Sequence, residues 1–281
     1  MTTTAADDLI FGLTRLVDLP GLTNAAGAPL SADDIAQIVN EANRFCTEAL
    51  QPKAQVDHGG QGLPLSLWTA MVELGMAADA SFMLGPLLSA GAIDLLRHYA
   101  TPDQAARWLP PMIAGEWTGA MCLTEPQAGS DLGVLRTRAE PLGNGRYALH
   151  GQKIFITWGE HDCAGNILHL VLARLPDAPP GSRGISLFAA PKILPDGARN
   201  AFRCGGIERK MGIHGSPTCI MLYEGAEAEM VGEPNRGLQA MFAMMNNARL
   251  GVGTQGVAHG AAALRGVSLG KPQRVQGGRT I

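Results

Sequence analysis

With 281 residues, the chain can bury a substantial core in one large domain or in two or three smaller ones. Twenty-two Lys and Arg against 25 Asp and Glu give a formal net charge of -3, which argues against a broad nucleic-acid surface. No basic, signal-like run opens the chain and no segment is expected to reach membrane-spanning length.

The elements follow in chain order. Ser31 and Asp34 form a candidate capping box for a helix whose face carries Ile35, Ile38, Val39, Ala42, Cys46 and Leu50. Pro52 and residues 57–62 interrupt it. A second helix is expected near Leu67, using Trp68, Met71 and Val72, with Gly75 weakening its end. Residues 82–99 form another apolar segment of helical length. Thr101-Pro102-Asp103-Gln104 restarts a helix, with Thr101 as cap, Pro102 at the first position and Gln104 completing the box. Pro110-Pro111 is expected to stop it.

The pattern changes after Gly115. Residues 146–150 and 153–157 read as short strands, and Gly143-Asn144-Gly145 before them suits a hairpin turn. Residues 167–173, 185–189 and 218–223 are further strands, several apolar throughout. Short links favour antiparallel pairing in a small barrel or sandwich. After Gly237 the chain turns helical through Leu238, Met241, Phe242, Met245 and Leu250, with Met241, Met244 and Met245 as packing residues. The last 15 residues are rich in Gly and suit the end of a helical domain poorly.

Cys46, Cys122, Cys163, Cys204 and Cys219 are widely separated and form no CxxC pair. They read as reduced thiols in a cytoplasmic protein, and no metal site is expected. His161 and Asp162 beside Cys163, or with Ser130, lack the strand-to-helix elbow of a nucleophile triad. The other histidines, His98, His150, His169, His214 and His259, are given structural or surface roles.

Five segments in order narrow the function. They are Thr124-Glu125-Pro126-Gln127-Ala128-Gly129-Ser130-Asp131, Gly151-Gln152-Lys153-Ile154-Phe155-Ile156-Thr157, Gly184-Ile185-Ser186-Leu187-Phe188, Lys210-Met211-Gly212-Ile213-His214-Gly215-Ser216 and Met244-Met245-Asn246-Asn247-Ala248-Arg249-Leu250. Together they resemble the acyl-CoA dehydrogenases over about residues 10–260. Met121-Cys122-Leu123, Gly159-Glu160-His161-Asp162 and residues 166–174 are most similar to the larger branch that includes 3-methylmercaptopropionyl-CoA dehydrogenase.

The resemblance implies an α+β fold: an N-terminal helical domain over 1–115, shortened between Gln51 and Leu63, a central antiparallel β-domain over 116–232, and a partial C-terminal helical domain over 233–281. It implies FAD as cofactor, acyl-CoA as substrate, electron-transferring flavoprotein as acceptor and assembly as a homo-oligomer. Met121, Cys122, Leu123, Thr124, Gly129 and Ser130 would follow the flavin, and Ser130 would meet an FAD phosphate or the phosphopantetheine arm. Phe155, Ile156 and Thr157 would lie beside the isoalloxazine. Arg249 would balance a CoA phosphate or a neighbouring carboxylate, with Asn246 adding neutral hydrogen bonds. Outside this context, Gly129-Ser130 would be a solvent turn, Phe155 a core strand residue and Arg249 half of a surface salt bridge.

The implied reaction removes the α-proton of an acyl-CoA thioester while hydride leaves the β-carbon, giving trans-2-enoyl-CoA. In the family the base comes from a late C-terminal helix, and no residue of this chain matches it; Glu125 belongs to the binding architecture. Little steady-state activity is therefore expected. An inactive truncated or assembly protein and an acyl-CoA oxidase-like flavoprotein are the alternatives.

Overall fold

The computed structural model describes residues 65–269 and two short strands, Val275–Gln276 and Arg279–Thr280. The helix expected behind Ser31 and Asp34, and the break at Pro52 and 57–62, lie outside the described residues. The chain divides into two compact units, Met1–Met71 and Val72–Ile281. Of the first, only residues 65–71, the opening of a helix, are described.

Helix α1, Leu65–Tyr99, joins the two helical segments expected near Leu67 and over 82–99. Its break falls at Asp79 (φ −152°, ψ 96°), not at Gly75. There the Asp79 carboxylate accepts hydrogen bonds from the amides of Ser81 (2.8 Å) and Phe82 (3.2 Å), as an N-cap does. Gly75 stays helical and makes room for Met83, whose Sδ would lie 2.5 Å from a Cβ at that position. By length and composition, 68–99 is apolar enough to cross a membrane, which corrects the expectation that no segment reaches that length. Within the fold, its Leu88, Ala92, Leu95 and Leu96 are buried in the core.

Helix α2, Pro102–Ile113, starts on the full Thr101–Gln104 capping box. Contrary to expectation it continues through Pro110 and Pro111, and the Ala114 amide closes it on the Pro110 carbonyl (3.0 Å). Arg107 pins α2 to the sheet by two hydrogen bonds to Glu229, of 2.9 and 2.7 Å.

Seven strands make one sheet: β1 Trp117–Cys122, β2 Arg138–Gly143, β3 Arg146–Thr157, β4 Asn166–Ala173, β5 Ser186–Pro191, β6 Phe202–Ile207 and β7 Thr218–Val231. The order is β1-β4-β5-β7-β3-β2, with β6 also on β7. Gly143, Asn144 and Gly145 all have positive φ and turn β2 into β3. Residues 146–150 and 153–157 are one strand rather than two. The pairing is antiparallel except for β1 and β4, which run parallel. The short-link rule failed there because the connection from β1 to β4 passes through a whole hairpin, β2–β3, instead of a helix.

The sheet curls on itself. The Ile154 amide donates to the Thr124 carbonyl beyond β1 (2.9 Å), and Ala139 at the start of β2 bonds the Arg174 carbonyl beyond β4 (2.8 Å). Inside the curl, Cys122, Leu149, Ile156, Val171, Phe188, Met221 and Tyr223 form one core. Outside it, Leu168, Leu170, Leu172 and Leu187 meet the helices in a second core. Strand β4 alternates between the two, which explains its unbroken apolar run.

On the helical side, the Gly119 amide of β1 donates to the Ser89 hydroxyl (3.1 Å), so α1 covers that sheet edge. Helix α3, Gly237–Leu269, buries Ala240, Met241 and Met244 in the outer core. Gly251 lets it approach Leu87 of α1, whose Cδ1 would stand 2.3 Å from a Cβ there. The methionines fill the space between helices, as their shape allows.

Candidate functional site

Beyond β1, the chain from Leu123 to Asp131 folds on a small loop. In it the Glu125 and Ala128 amides donate to each other's carbonyls, at 2.9 and 3.0 Å. A buried ion pair fixes this loop to β3. Lys153 is fully buried and Glu125 is 3% exposed; the Lys153 Nζ donates to Glu125 Oε1 and to the Leu123 carbonyl, both at 2.8 Å.

The Glu125 carboxylate also accepts from the amides of Arg136 (2.6 Å) and Thr137 (3.0 Å), the Thr137 hydroxyl (2.6 Å) and the Gln127 side-chain amide (2.6 Å). Burial pushes its pKa up, but the Lys153 charge and these donors outweigh burial and hold it at about 2. Burial likewise pushes Lys153 down, and Glu125 opposes that shift. A carboxylate so fully satisfied is an anchor and a poor proton acceptor near neutral pH.

Strand β3 ends irregularly. Its register slips between Lys153 and Ile156, and Phe155 (φ 58°) and Trp158 (φ 53°) are left-handed. Non-glycine residues in that region cost on the order of 1–3 kcal/mol each and persist where the surroundings over-determine them. The kink turns the Phe155 ring outward, 57% exposed, while Ile156 points into the barrel. Trp158 reaches the opposite way. Its Nε1 donates to the Ser81 carbonyl of α1 (3.1 Å), and its ring meets Phe82 edge-on.

The Ile154–Thr124 bond therefore sets two predicted segments side by side: Met121, Cys122, Leu123 and Thr124, and Phe155, Ile156 and Thr157. Their exposure differs. Cys122, Leu123 and Ile156 are buried, so only their backbones could face a ligand, whereas Met121, Thr124 and Thr157 are half-buried. Gly129 and Ser130 are exposed. Among the described residues, the hydroxyls of Thr124, Ser130 and Thr157 have no hydrogen-bond partner. A Cβ at Gly129 would meet nothing closer than the Thr124 methyl at 4.0 Å. An exposed ring, three free hydroxyls and an open glycine fit a flat cofactor carrying polar edges and phosphates.

Asn246 and Arg249 are joined to each other. An Arg249 nitrogen donates to Asn246 Oδ1 (2.6 Å), and the guanidinium lies over the Phe242 ring at 5.6 Å. Among the described residues no hydrogen bond or ion pair links them to the Thr124–Phe155 cluster. His161 pairs with neither Ser130 nor the Cys163 thiol. It accepts from the Cys163 amide at Nδ1 (3.2 Å), leaving Nε2–H to donate to the Thr118 hydroxyl (3.0 Å).

Four residues whose roles sequence reasoning missed organise the site: Lys153, Trp158, His169 and Arg174. Arg174 donates to four backbone carbonyls, those of Gly133 (2.6 Å), Gly181 (2.9 Å), Leu135 (3.0 Å) and Pro179 (3.1 Å). It thereby ties the segment after Asp131 to the loop before β5. His169 is fully buried: its Nε2 bonds the Gly159 carbonyl and its Nδ1 the Tyr223 hydroxyl, both at 2.8 Å. A lone polar residue inside the apolar run 167–173 was the available signal, since a buried polar group requires a partner.

Comparison with known proteins gives the family. The chain matches the model of the acyl-CoA dehydrogenase N-terminal domain over residues 55–116 and that of the acyl-CoA dehydrogenase middle domain over 120–226. The 3-methylmercaptopropionyl-CoA dehydrogenase of Ruegeria pomeroyi is 51% identical over 207 residues, covering 72% of this chain and 35% of that protein. The NADH-dependent acryloyl-CoA reductase of Anaerotignum propionicum is 30% identical over 286 aligned positions, covering 93% of this chain and 69% of that protein. The acyl-CoA dehydrogenase structure from Geobacillus kaustophilus aligns with a TM-score of 0.70 at 25% identity, over 86% of this chain and 62% of that one. The chain belongs to the acyl-CoA dehydrogenase family and has its α+β architecture, a central sheet with flanking helices. It spans little more than a third of the Ruegeria relative.

Proposed function

We propose that the chain supplies the flavin-binding barrel and adjoining helices of an FAD-dependent acyl-CoA dehydrogenase, which converts an acyl-CoA thioester to trans-2-enoyl-CoA. The reading rests above all on the meeting of two segments at one end of the barrel: Thr124 with its free hydroxyl and Phe155 with its outward ring. When bound, FAD would take up the hydride that leaves the substrate β-carbon.

The chain's own residues bind and orient. Phe155 covers one face of the ring system, and Thr124 and Thr157 offer backbone or hydroxyl hydrogen bonds at its edge. The backbones of Met121, Cys122, Leu123 and Ile156 complete that edge. Gly129 admits a close backbone approach, and Ser130 meets a phosphate of FAD or the phosphopantetheine arm. Arg249, with Asn246 beside it, balances a CoA phosphate. None of the described residues is assigned the α-proton base, and Glu125 is unsuited to it for the reasons above.

The domain limits 1–115, 116–232 and 233–281 belong to this proposal. So do a short thioether acyl-CoA as substrate, favoured by the Ruegeria relative, and electron-transferring flavoprotein as acceptor. A homo-oligomer is proposed on family grounds, and a cytoplasmic location on the free thiols of Cys122, Cys163, Cys204 and Cys219. A second reading is a subunit that binds FAD and acyl-CoA without turnover, since none of the described residues is assigned the α-proton base.

Anaerobic titration of the FAD-loaded full chain with acyl-CoA tests both. Bleaching of the flavin with enoyl-CoA formation supports the dehydrogenase. Bound FAD whose spectrum shifts without bleaching supports the second reading. A chain that takes up no FAD contradicts both.

A further inference from the structure

The cluster in the barrel interior that the proposed chemistry leaves unused is the polar chain of Gly159, His169 and Tyr223. The Gly159 carbonyl can only accept, so His169 Nε2 carries the proton and Nδ1 the lone pair. The Tyr223 hydroxyl must then donate to Nδ1. Tyr223 packs in the same core as Cys122, whose thiol donates to the Ala120 carbonyl (3.9 Å). The Phe202 ring stacks on the imidazole at a centroid distance of 4.4 Å. The Gly159 carbonyl thus selects the tautomer, and the Tyr223 hydroxyl satisfies the lone pair left on Nδ1.

The polar chain joins two parts of the proposed site. His169 pairs with Ala120 of β1, the strand that ends at Cys122 immediately before Leu123 and Thr124. Gly159 follows the left-handed pair Phe155 and Trp158. Other bonds grip that segment from outside the barrel: the Trp158 amide donates to the Pro217 carbonyl (2.7 Å) and its indole to Ser81 (3.1 Å). From inside the barrel, the His169 side chain holds it.

We propose that His169, its Nδ1 satisfied by Tyr223, is a positioning residue for flavin: it fixes the strained Phe155–Gly159 turn to β4, beside the end of β1 that leads to Thr124. His169 touches no ligand and acts through the backbone of the turn. The inference rests on the reading of Phe155 and Thr157 as flavin contacts. Burial favours the same neutral state of the ring, bringing its pKa down to about 4.

The test uses the full chain, titrated with FAD and followed by flavin fluorescence and visible absorption, with folding checked by circular dichroism. Tyr223→Phe removes one oxygen and keeps the ring, so it leaves His169 Nδ1 unpaired without opening a large cavity. It is expected to weaken FAD binding about three- to tenfold and to shift the flavin absorption bands. His169→Gln keeps a donor for Gly159 and is expected to bind FAD more tightly than His169→Leu. Tyr147→Phe, the same deletion outside the chain, is expected to change neither affinity nor spectrum.

Wild-type affinity and spectrum in Tyr223→Phe would overturn the positioning role and leave the flavin reading intact. Equal affinities in the Gln and Leu variants would also overturn it. A wild-type chain that binds no FAD would remove the flavin reading and the positioning role together.

Discussion

At the scale of single residues, Glu125 and Lys153 depend on each other most. Removing one partner leaves a buried charge uncompensated. Lys153→Met is therefore expected to lower unfolding free energy in urea by about 3–5 kcal/mol, and the double change Glu125→Gln with Lys153→Met by less than the sum of the single changes. Additive losses in that cycle would show that the pair is not coupled. Phe155 is the opposite case, because its ring contributes little to the core. Phe155→Ala is expected to leave the urea midpoint nearly unchanged while weakening FAD binding about three- to tenfold, the worth of one aromatic contact.

The motif residues were legible because each local segment is distinctive as a run of letters. His169 was not, since its partners Gly159 and Tyr223 lie 10 and 54 positions away and meet only inside the closed barrel. Arg174 was opaque for the same reason. Its four carbonyls belong to two loops whose proximity the sequence does not encode locally.

At the scale of elements, legibility follows the range of the interactions that make them. The start of α2 could be read directly, because Thr101 and Gln104 cap it within four residues. Strand β1, Trp-Thr-Gly-Ala-Met-Cys, could not. It has neither β-branched density nor clean alternation, and it is a strand because β4 pairs along one edge and Ser89 of α1 bonds the other. Strand β6, with two glycines, similarly owes its form to β7. The break in α1 was misplaced because Gly75 weakens a helix by propensity alone, whereas Asp79 ends one turn and caps the next.

Gly119 shows how tightly the elements meet. A Cβ there would stand 2.4 Å from Ala92 Cβ and 3.0 Å from Met112 Cε. Gly119→Ala is expected to cost about 1–3 kcal/mol through overpacking between α1, α2 and β1. Urea denaturation checks this, and a neutral result would mean that the helices can draw back from the sheet.

At the scale of the whole molecule, the helix–sheet–helix order was legible and the sheet was narrowed to a barrel or sandwich, while the parallel β1–β4 pair was not legible. Acid should loosen this fold in two stages. His169 has its folded pKa depressed to about 4 by burial, so the unfolded chain binds more protons as pH falls from about 6.5, and stability is lost down to about pH 4. Glu125 is also depressed, to about 2 against burial by Lys153 and its donors, so its contribution is present above about pH 4.5 and lost as pH falls towards 2. Urea midpoints from pH 7 to pH 3 should decline accordingly, with the first stage reduced in His169→Gln. A flat profile between pH 7 and pH 4 would contradict the buried neutral imidazole.

The central claim is that this barrel end holds a flavin. Its most direct test is a fluorescence titration of the full wild-type chain with FAD, run beside Phe155→Ala. Saturable binding near one FAD per chain, weakened in the variant at unchanged fold stability, is the expected result. No saturable binding, or equal binding by both proteins, would contradict the assignment of this surface.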